Sequence, residues 1–159
     1  MLDGCINVMN ARFQRMEEAD SDECSEPNLW IVIDEWFDVK TMCPKSCIKK
    51  LELISSRARA CNIFILAGTQ RCTKDVLSGV IATNFSVKLG LKTITAQDSR
   101  NIIQKKGLEE LPRCGKGVLL IDSTYTDVDI PFTTREKCSE RVHYWVDLFT
   151  KQYGRSKII

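Results

Sequence analysis

Histidine is nearly missing from this chain: His143 is the only one in 159 residues. Zinc sites use tight Cys-x2–4-Cys pairs matched by a second pair or by histidines. Of the eight cysteines (Cys5, Cys24, Cys43, Cys47, Cys61, Cys72, Cys114 and Cys138), only Cys43 and Cys47 come close to that spacing, so a structural metal is not expected. An even cysteine count can mark a small disulfide-bonded secreted domain, but this chain exceeds that class in length. Its opening, MLDGCINVMNARFQRM, has an acid at position 3 and no cationic-then-apolar signal pattern. Free thiols in a reducing, cytosolic compartment are therefore expected. A run of about 18 apolar residues, the minimum for a membrane-spanning helix, is also missing. So is any G-x-x-x-x-G-K-[ST] motif. Gly115-Lys116-Gly117 holds the only Gly-Lys pair and lacks both the leading glycine spacing and the Ser or Thr. The backbone amides and lysine that such a loop aims at β- and γ-phosphates are thus not provided by this sequence. Internal repeats and low-complexity segments are absent too.

What remains is an ordinary globular composition, with 43% hydrophobic residues and a net charge of +2. A chain of this length makes one domain and buries roughly 68–70% of its unfolded surface. The charge is unevenly spread. Glu17 to Glu26 holds six acids and no base, whereas Lys45 to Lys74 holds seven bases and one acid. A basic face can bind phosphates, but a solvated helix face is the plainer explanation.

Residues 2–16 place Leu2, Ile6, Met9, Phe13 and Met16 at helical spacing. The polar stretch to Pro27-Asn28 reads as an exposed loop. Residues 29–33 (LWIVI) and 63–67 (IFILA) are short continuous apolar runs, the pattern of strands buried on both faces of a parallel sheet. Between them Pro44 opens a helix carrying Cys47, Leu51, Ile54, Ala58 and Cys61, with Asn62 as its left-handed cap. A short helix is expected over 74–83 and a third strand over 85–91. Thr95-x-x-Asp98 starts a helix that Gly107 ends. Strands follow over 117–121 and 127–132. Arg135 to Tyr153 forms a final amphipathic helix with Val142, Trp145, Val146 and Phe149 on one side. Alternating strands and helices give an α/β layer fold with a mainly parallel sheet.

In such sheets ligands bind beyond the carboxyl ends of the strands. Two polar clusters lie there. Asp34-Glu35 follows LWIVI directly. An apolar strand delivering two acids is the Walker B arrangement, in which one acid faces a Mg²⁺ shell and the other an attacking water. Asp34 suits the metal side and Glu35 the water-orienting role. A loop acid or a helix N-cap is the alternative. Thr69-Gln70-Arg71 follows IFILA, where Thr or Gln can donate to a γ-phosphate or hold a water. Taken alone, polar groups bonded to local backbone explain this cluster better.

Together the clusters resemble the FtsK/SpoIIIE translocases. Ser56 to Ile63 followed by IFILAGTQR is similar to that family's ARAAGIHLxLATQRP. Asp75-Val76, Gly79-Val80-Ile81 and Asn84 match its DVxxGxIxxN, and Asp98-Ser99-Arg100 its DSR. GLEELPRCGKG (107–117) resembles its GAExLLGxGD, and LWIVIDEWFDV its IVVxVDEFADL. The likeness runs from about residue 1 to about residue 121, and 122–159 matches less well. It implies the C-terminal part of a RecA-like three-layer α/β domain with a mainly parallel sheet, beginning after the phosphate loop. For the intact protein it implies ATP and Mg²⁺ as cofactors and a hexameric ring moving double-stranded DNA. This chain alone would bind neither cofactor tightly. Asp34 would serve Mg²⁺ through water and Glu35 the attacking water. Thr69 and Gln70 would sense the γ-phosphate, and Lys88 and Arg100 would lie near a neighbouring subunit's nucleotide. Three departures stand out. Cys72 replaces a proline, Val118 replaces an aspartate, and Lys88 replaces an arginine, keeping the charge without the planar fork. Conjugation coupling ATPases and type VII secretion ATPases share this core, and a non-catalytic interaction domain could keep the fold. Without the domain's first βα unit, an exposed apolar edge and self-association are expected.

Overall fold

The computed structural model describes residues 2–74, Val76 and residues 83–153. The elements are α1 (Leu2–Glu18), β1 (Leu29–Ile33), α2 (Trp36–Met42), α3 (Lys45–Arg57), β2 (Ile63–Ala67), β3 (Val87–Gly90), α4 (Ala96–Ile103), β4 (Lys116–Ile121), β5 (Thr124–Asp129) and α5 (Arg135–Tyr153). Short 3-10 turns cover Ala58–Cys61 and Leu108–Glu110. The helix expected over 74–83 lies mostly outside the described residues.

β1 and β2 pair in parallel, with Leu29 opposite Ile63 and Ile33 opposite Ala67. The crossover between them is α3, whose Leu51 and Ile54 are buried. Asn62 closes that crossover in the left-handed region (φ 58°) as its sequence position predicts, and its side-chain amide donates to the Cys24 and Glu26 carbonyls. One core joins Met9 of α1, Ile31 of β1, Ile54 of α3 and Ile63 of β2 with Ala58 and Cys61. A second gathers Trp36, Leu51 and Val76. Each such side chain contributes roughly 2 kcal/mol when fully buried.

Among the described residues, parallel pairing is confined to β1 and β2. β3, β4 and β5 form an antiparallel sheet in that order, because a two-residue turn at Asp122-Ser123 folds β5 straight back on β4. A third core, Ile103, Leu108, Val118 and Leu120, seals this sheet against α4. Thr95 caps α4 by accepting from the Asp98 N–H, as expected.

Several boundaries and burial expectations are corrected. β3 is shorter than 85–91, since only Val87–Gly90 pairs with β4. β5 begins three residues earlier than 127, because the hairpin register with β4 sets its start. Gln104 (φ 64°), and not Gly107, ends α4 by donating its N–H to the Arg100 carbonyl. α2 has only seven residues and was not read from the sequence. α5 spans the expected residues, but its apolar side, including Val142 and Trp145, stays exposed.

The expectation that LWIVI and IFILA are buried on both faces also fails. α1 and α3 cover one face only, leaving Trp30 55%, Val32 68% and Leu66 57% exposed on the other. Trp30 stacks on Phe64 there, with centroids 5.0 Å apart. An apolar patch of this kind drives association. Light scattering of the chain is accordingly expected to show concentration-dependent oligomers that Trp30→Lys with Leu66→Lys reduces. A monodisperse monomer before substitution would refute this.

Candidate functional site

The carboxyl ends of β1 and β2 are laced together across Gly68. Its N–H donates to the Ile33 carbonyl at 2.8 Å, and its carbonyl accepts from the Trp36 N–H at 2.8 Å. A Cβ at Gly68 would sit 2.8 Å from the Asp34 carbonyl oxygen, so only glycine permits this approach. The lacing places Asp34-Glu35 beside Thr69-Gln70, the arrangement the sequence suggests for ligand binding at strand ends.

Glu35 is the hub. Its Oε1 accepts from the Thr69 hydroxyl at 2.5 Å and from the Phe37 N–H at 3.0 Å. Its Oε2 accepts from the Gln70 N–H at 3.0 Å. The Phe37 contact makes Glu35 the N-cap of α2, the alternative role weighed for this acid pair. The Thr69 hydroxyl, then the Gln70 and Phe37 N–H groups and the Arg71 charge, hold its carboxyl below the ordinary 4.5. A depressed folded-state value means that this cluster stabilises the fold above pH 4.5. That contribution is lost as pH falls from there through the lowered value.

Arg71 lies over the Phe37 ring at 4.1 Å, tying the loop to α2 a second time. Burial, then the charges of Asp98 and Glu35, push the Cys72 thiol up, so this cysteine at the loop's end is not a reactive thiolate. Asp34 is exposed at the strand end and, among the described residues, shares no hydrogen bond or ion pair. Such a free hard-oxygen ligand fits a hydrated Mg²⁺, which keeps several waters and takes one or two carboxylates.

Of the six residues singled out from sequence, the structure brings Asp34, Glu35, Thr69 and Gln70 together. Lys88 stands on β3 in the other sheet, and Arg100 is exposed on α4, reaching Gln97 at 3.5 Å. Neither bonds to the Glu35 cluster among the described residues. Sequence reasoning missed Gly68, although a glycine directly after a buried strand signals close backbone approach. It also missed Asn101 of α4, which donates to the Cys72 carbonyl at 2.7 Å. No sequence signal marks that residue.

No family profile matches the chain. Over 135 residues it is 30% identical to DNA translocase FtsK of Staphylococcus epidermidis, an alignment covering 82% of this chain and 17% of that protein. It is a homologue of the FtsK-type DNA translocases. The chain therefore spans about a sixth of its FtsK relative's length. Two solved structures share the fold. The pCW3 conjugation coupling protein TcpA, in monomer form with ATPγS, matches with a TM-score of 0.74 at 17% identity, over 86% of this chain and 44% of that one. The cytoplasmic domain of the type VII secretion ATPase EccC from Thermomonospora curvata matches at 0.69 and 19% identity, over 84% and 17% respectively. The fold is that of RecA-like ATPase domains, the class expected for an FtsK homologue.

Proposed function

We propose that this chain is the Walker B and sensor part of an ATP-driven double-stranded DNA translocase of FtsK type. The observation that carries this reading is the meeting of Asp34-Glu35 with Thr69-Gln70 at the carboxyl ends of two parallel strands in an FtsK homologue. Asp34 would hold Mg²⁺ through water, and Glu35 would polarise the attacking water. Thr69 and Gln70 would report the γ-phosphate. Lys88 and Arg100, remote from this cluster, would face a neighbouring subunit's nucleotide in a hexameric ring. On this reading the phosphate cradle is supplied by residues other than these, and the chain by itself is not expected to hydrolyse ATP. A cytoplasmic location follows from the same reading, and no described helix is long and apolar enough to cross a membrane.

Calorimetry with Mg-ATP tests the proposal, on this chain and on one extended upstream through a phosphate loop. Only the extended chain should bind, and Glu35→Gln within it should bind ATP while hydrolysis falls about 10²–10⁴-fold. Failure of both chains to bind would make Asp34-Glu35 structural and favour a non-catalytic interaction domain. The match to TcpA supports a second reading, conjugative DNA transfer, and the match to EccC a third, protein export. Steeply salt-dependent DNA binding separates the DNA motors from a peptide-binding export ATPase.

A further inference from the structure

Glu35 is heavily engaged as it stands. A carboxylate offers about four lone-pair sites, and three are filled by the Thr69 hydroxyl and the Gln70 and Phe37 N–H groups. One site stays open, and the lone pairs held by these donors become available only when a donor lets go. Two of the three donors belong to the loop that follows β2. Releasing either of these two is a movement of that loop relative to α2.

The loop is held at its far end by the other half of the molecule. The Asn101 side chain donates its amide to the Cys72 carbonyl at 2.7 Å, while its own Oδ1 accepts from Gln97 Nε2 at 3.1 Å. Both residues lie on α4, which is fixed to the antiparallel sheet by the Ile103 core and by Ser99, whose hydroxyl accepts from the Leu108 N–H. Only Gln70 and Arg71 separate the Thr69 latch from the Cys72 anchor. The Arg71 N–H donates back to the Thr69 hydroxyl at 3.2 Å, which leaves the segment little slack.

We propose that Asn101 is a positioning residue for Glu35: by anchoring the Cys72 carbonyl it holds the Thr69–Cys72 loop against the carboxylate, so that α4 and its antiparallel sheet govern when Glu35 is free. A shift of α4 away from the loop slackens it and uncaps Glu35. A fixed α4 keeps those donors on the carboxylate. The functional meaning rests on Glu35 as the water-orienting base, but the mechanical link does not.

The test uses the chain alone and needs no turnover. Hydrogen exchange of the Gln70 amide, the donor to Glu35 Oε2, is followed by NMR. Asn101→Ala is expected to speed Gln70 exchange about tenfold, the worth of a hydrogen bond near 1.4 kcal/mol. Thr69→Val, which cuts the latch itself, should speed it too. Leu120 in β4 should keep its protection, which separates slackening of the loop from general loosening. If Asn101→Ala does not fold, Gln97→Ala removes the partner that orients Asn101 and should speed Gln70 exchange by less. Gln70 exchange unchanged in the folded Asn101 or Gln97 variant, while Thr69→Val speeds it, would overturn the proposal. Loss of the base role is a separate result, read as undiminished hydrolysis by Glu35→Gln in the upstream-extended protein.

Discussion

Replacing Arg12 with alanine is expected to lower the unfolding free energy by about 3 kcal/mol, because it removes the buried donor to two backbone carbonyls as well as a pair to the half-buried Glu26. The guanidinium is only 7% exposed, yet it sits on the apolar side of α1 beside Met9. It donates to the Cys61 carbonyl at 2.9 Å and the Asn62 carbonyl at 3.3 Å, and its Nε lies 3.3 Å from the Glu26 carboxylate. Alanine would strand those carbonyls at the entry to β2 and unpin the acidic loop from α1. Arg15 is the internal control. It meets the same Glu26 but is 55% exposed, and exposed pairs contribute about 0–1 kcal/mol. Urea unfolding of Arg12→Ala and Arg15→Ala should thus separate the two by about 2 kcal/mol or more. Equal midpoints would mean that Arg12 is a surface charge like its neighbour.

Arg12 also shows where sequence pattern stops being informative. The spacing of Leu2, Ile6, Met9, Phe13 and Met16 locates the buried stripe of α1, because helical geometry is local. Nothing local shows that a charge inside that stripe has partners, since they lie up to 50 positions away. The same division runs through the fold. β1 and β2 are legible to the residue, because a continuous apolar run bounded by polar residues has few other uses. How many of their faces are covered depends on what packs there, which the run does not encode. The start of β5 is not legible because TYTDVD shows no apolar alternation, and the hairpin turn rather than hydrophobicity sets its register. At the site, acids and amides directly after apolar strands announced themselves. The helix N-cap alternative for this acid pair is realised, but its latch to Thr69 is not legible, because it joins residues 34 positions apart.

Gly68→Ala is expected to damage both the fold and the site. The added methyl would meet the Asp34 carbonyl oxygen at 2.8 Å, and that atom is backbone, so no side-chain rotation relieves the clash. Overpacking of this kind costs typically 1–3 kcal/mol, and here the strain falls on two backbone hydrogen bonds that lace β1 to β2. The loop must move away from Asp34, which carries Thr69 and Gln70 away from Glu35. Their hydrogen bonds depress the Glu35 carboxyl, so its titration should rise even in molecules that remain folded. In an upstream-extended protein that hydrolyses ATP, a displacement near 1 Å at this point is expected to lower turnover about 10²-fold. Gly90→Ala is the comparison. Its methyl meets the mobile ends of Leu108 and Ile103 in the core beneath the antiparallel sheet, far from the Glu35 cluster along the chain. It should reduce stability and, acting on the site only through the core that fixes α4, move the Glu35 titration less than Gly68→Ala does. Gly68→Ala with an unchanged Glu35 midpoint would show that the junction yields without disturbing the site, and the close approach at Gly68 would then be a feature of packing alone.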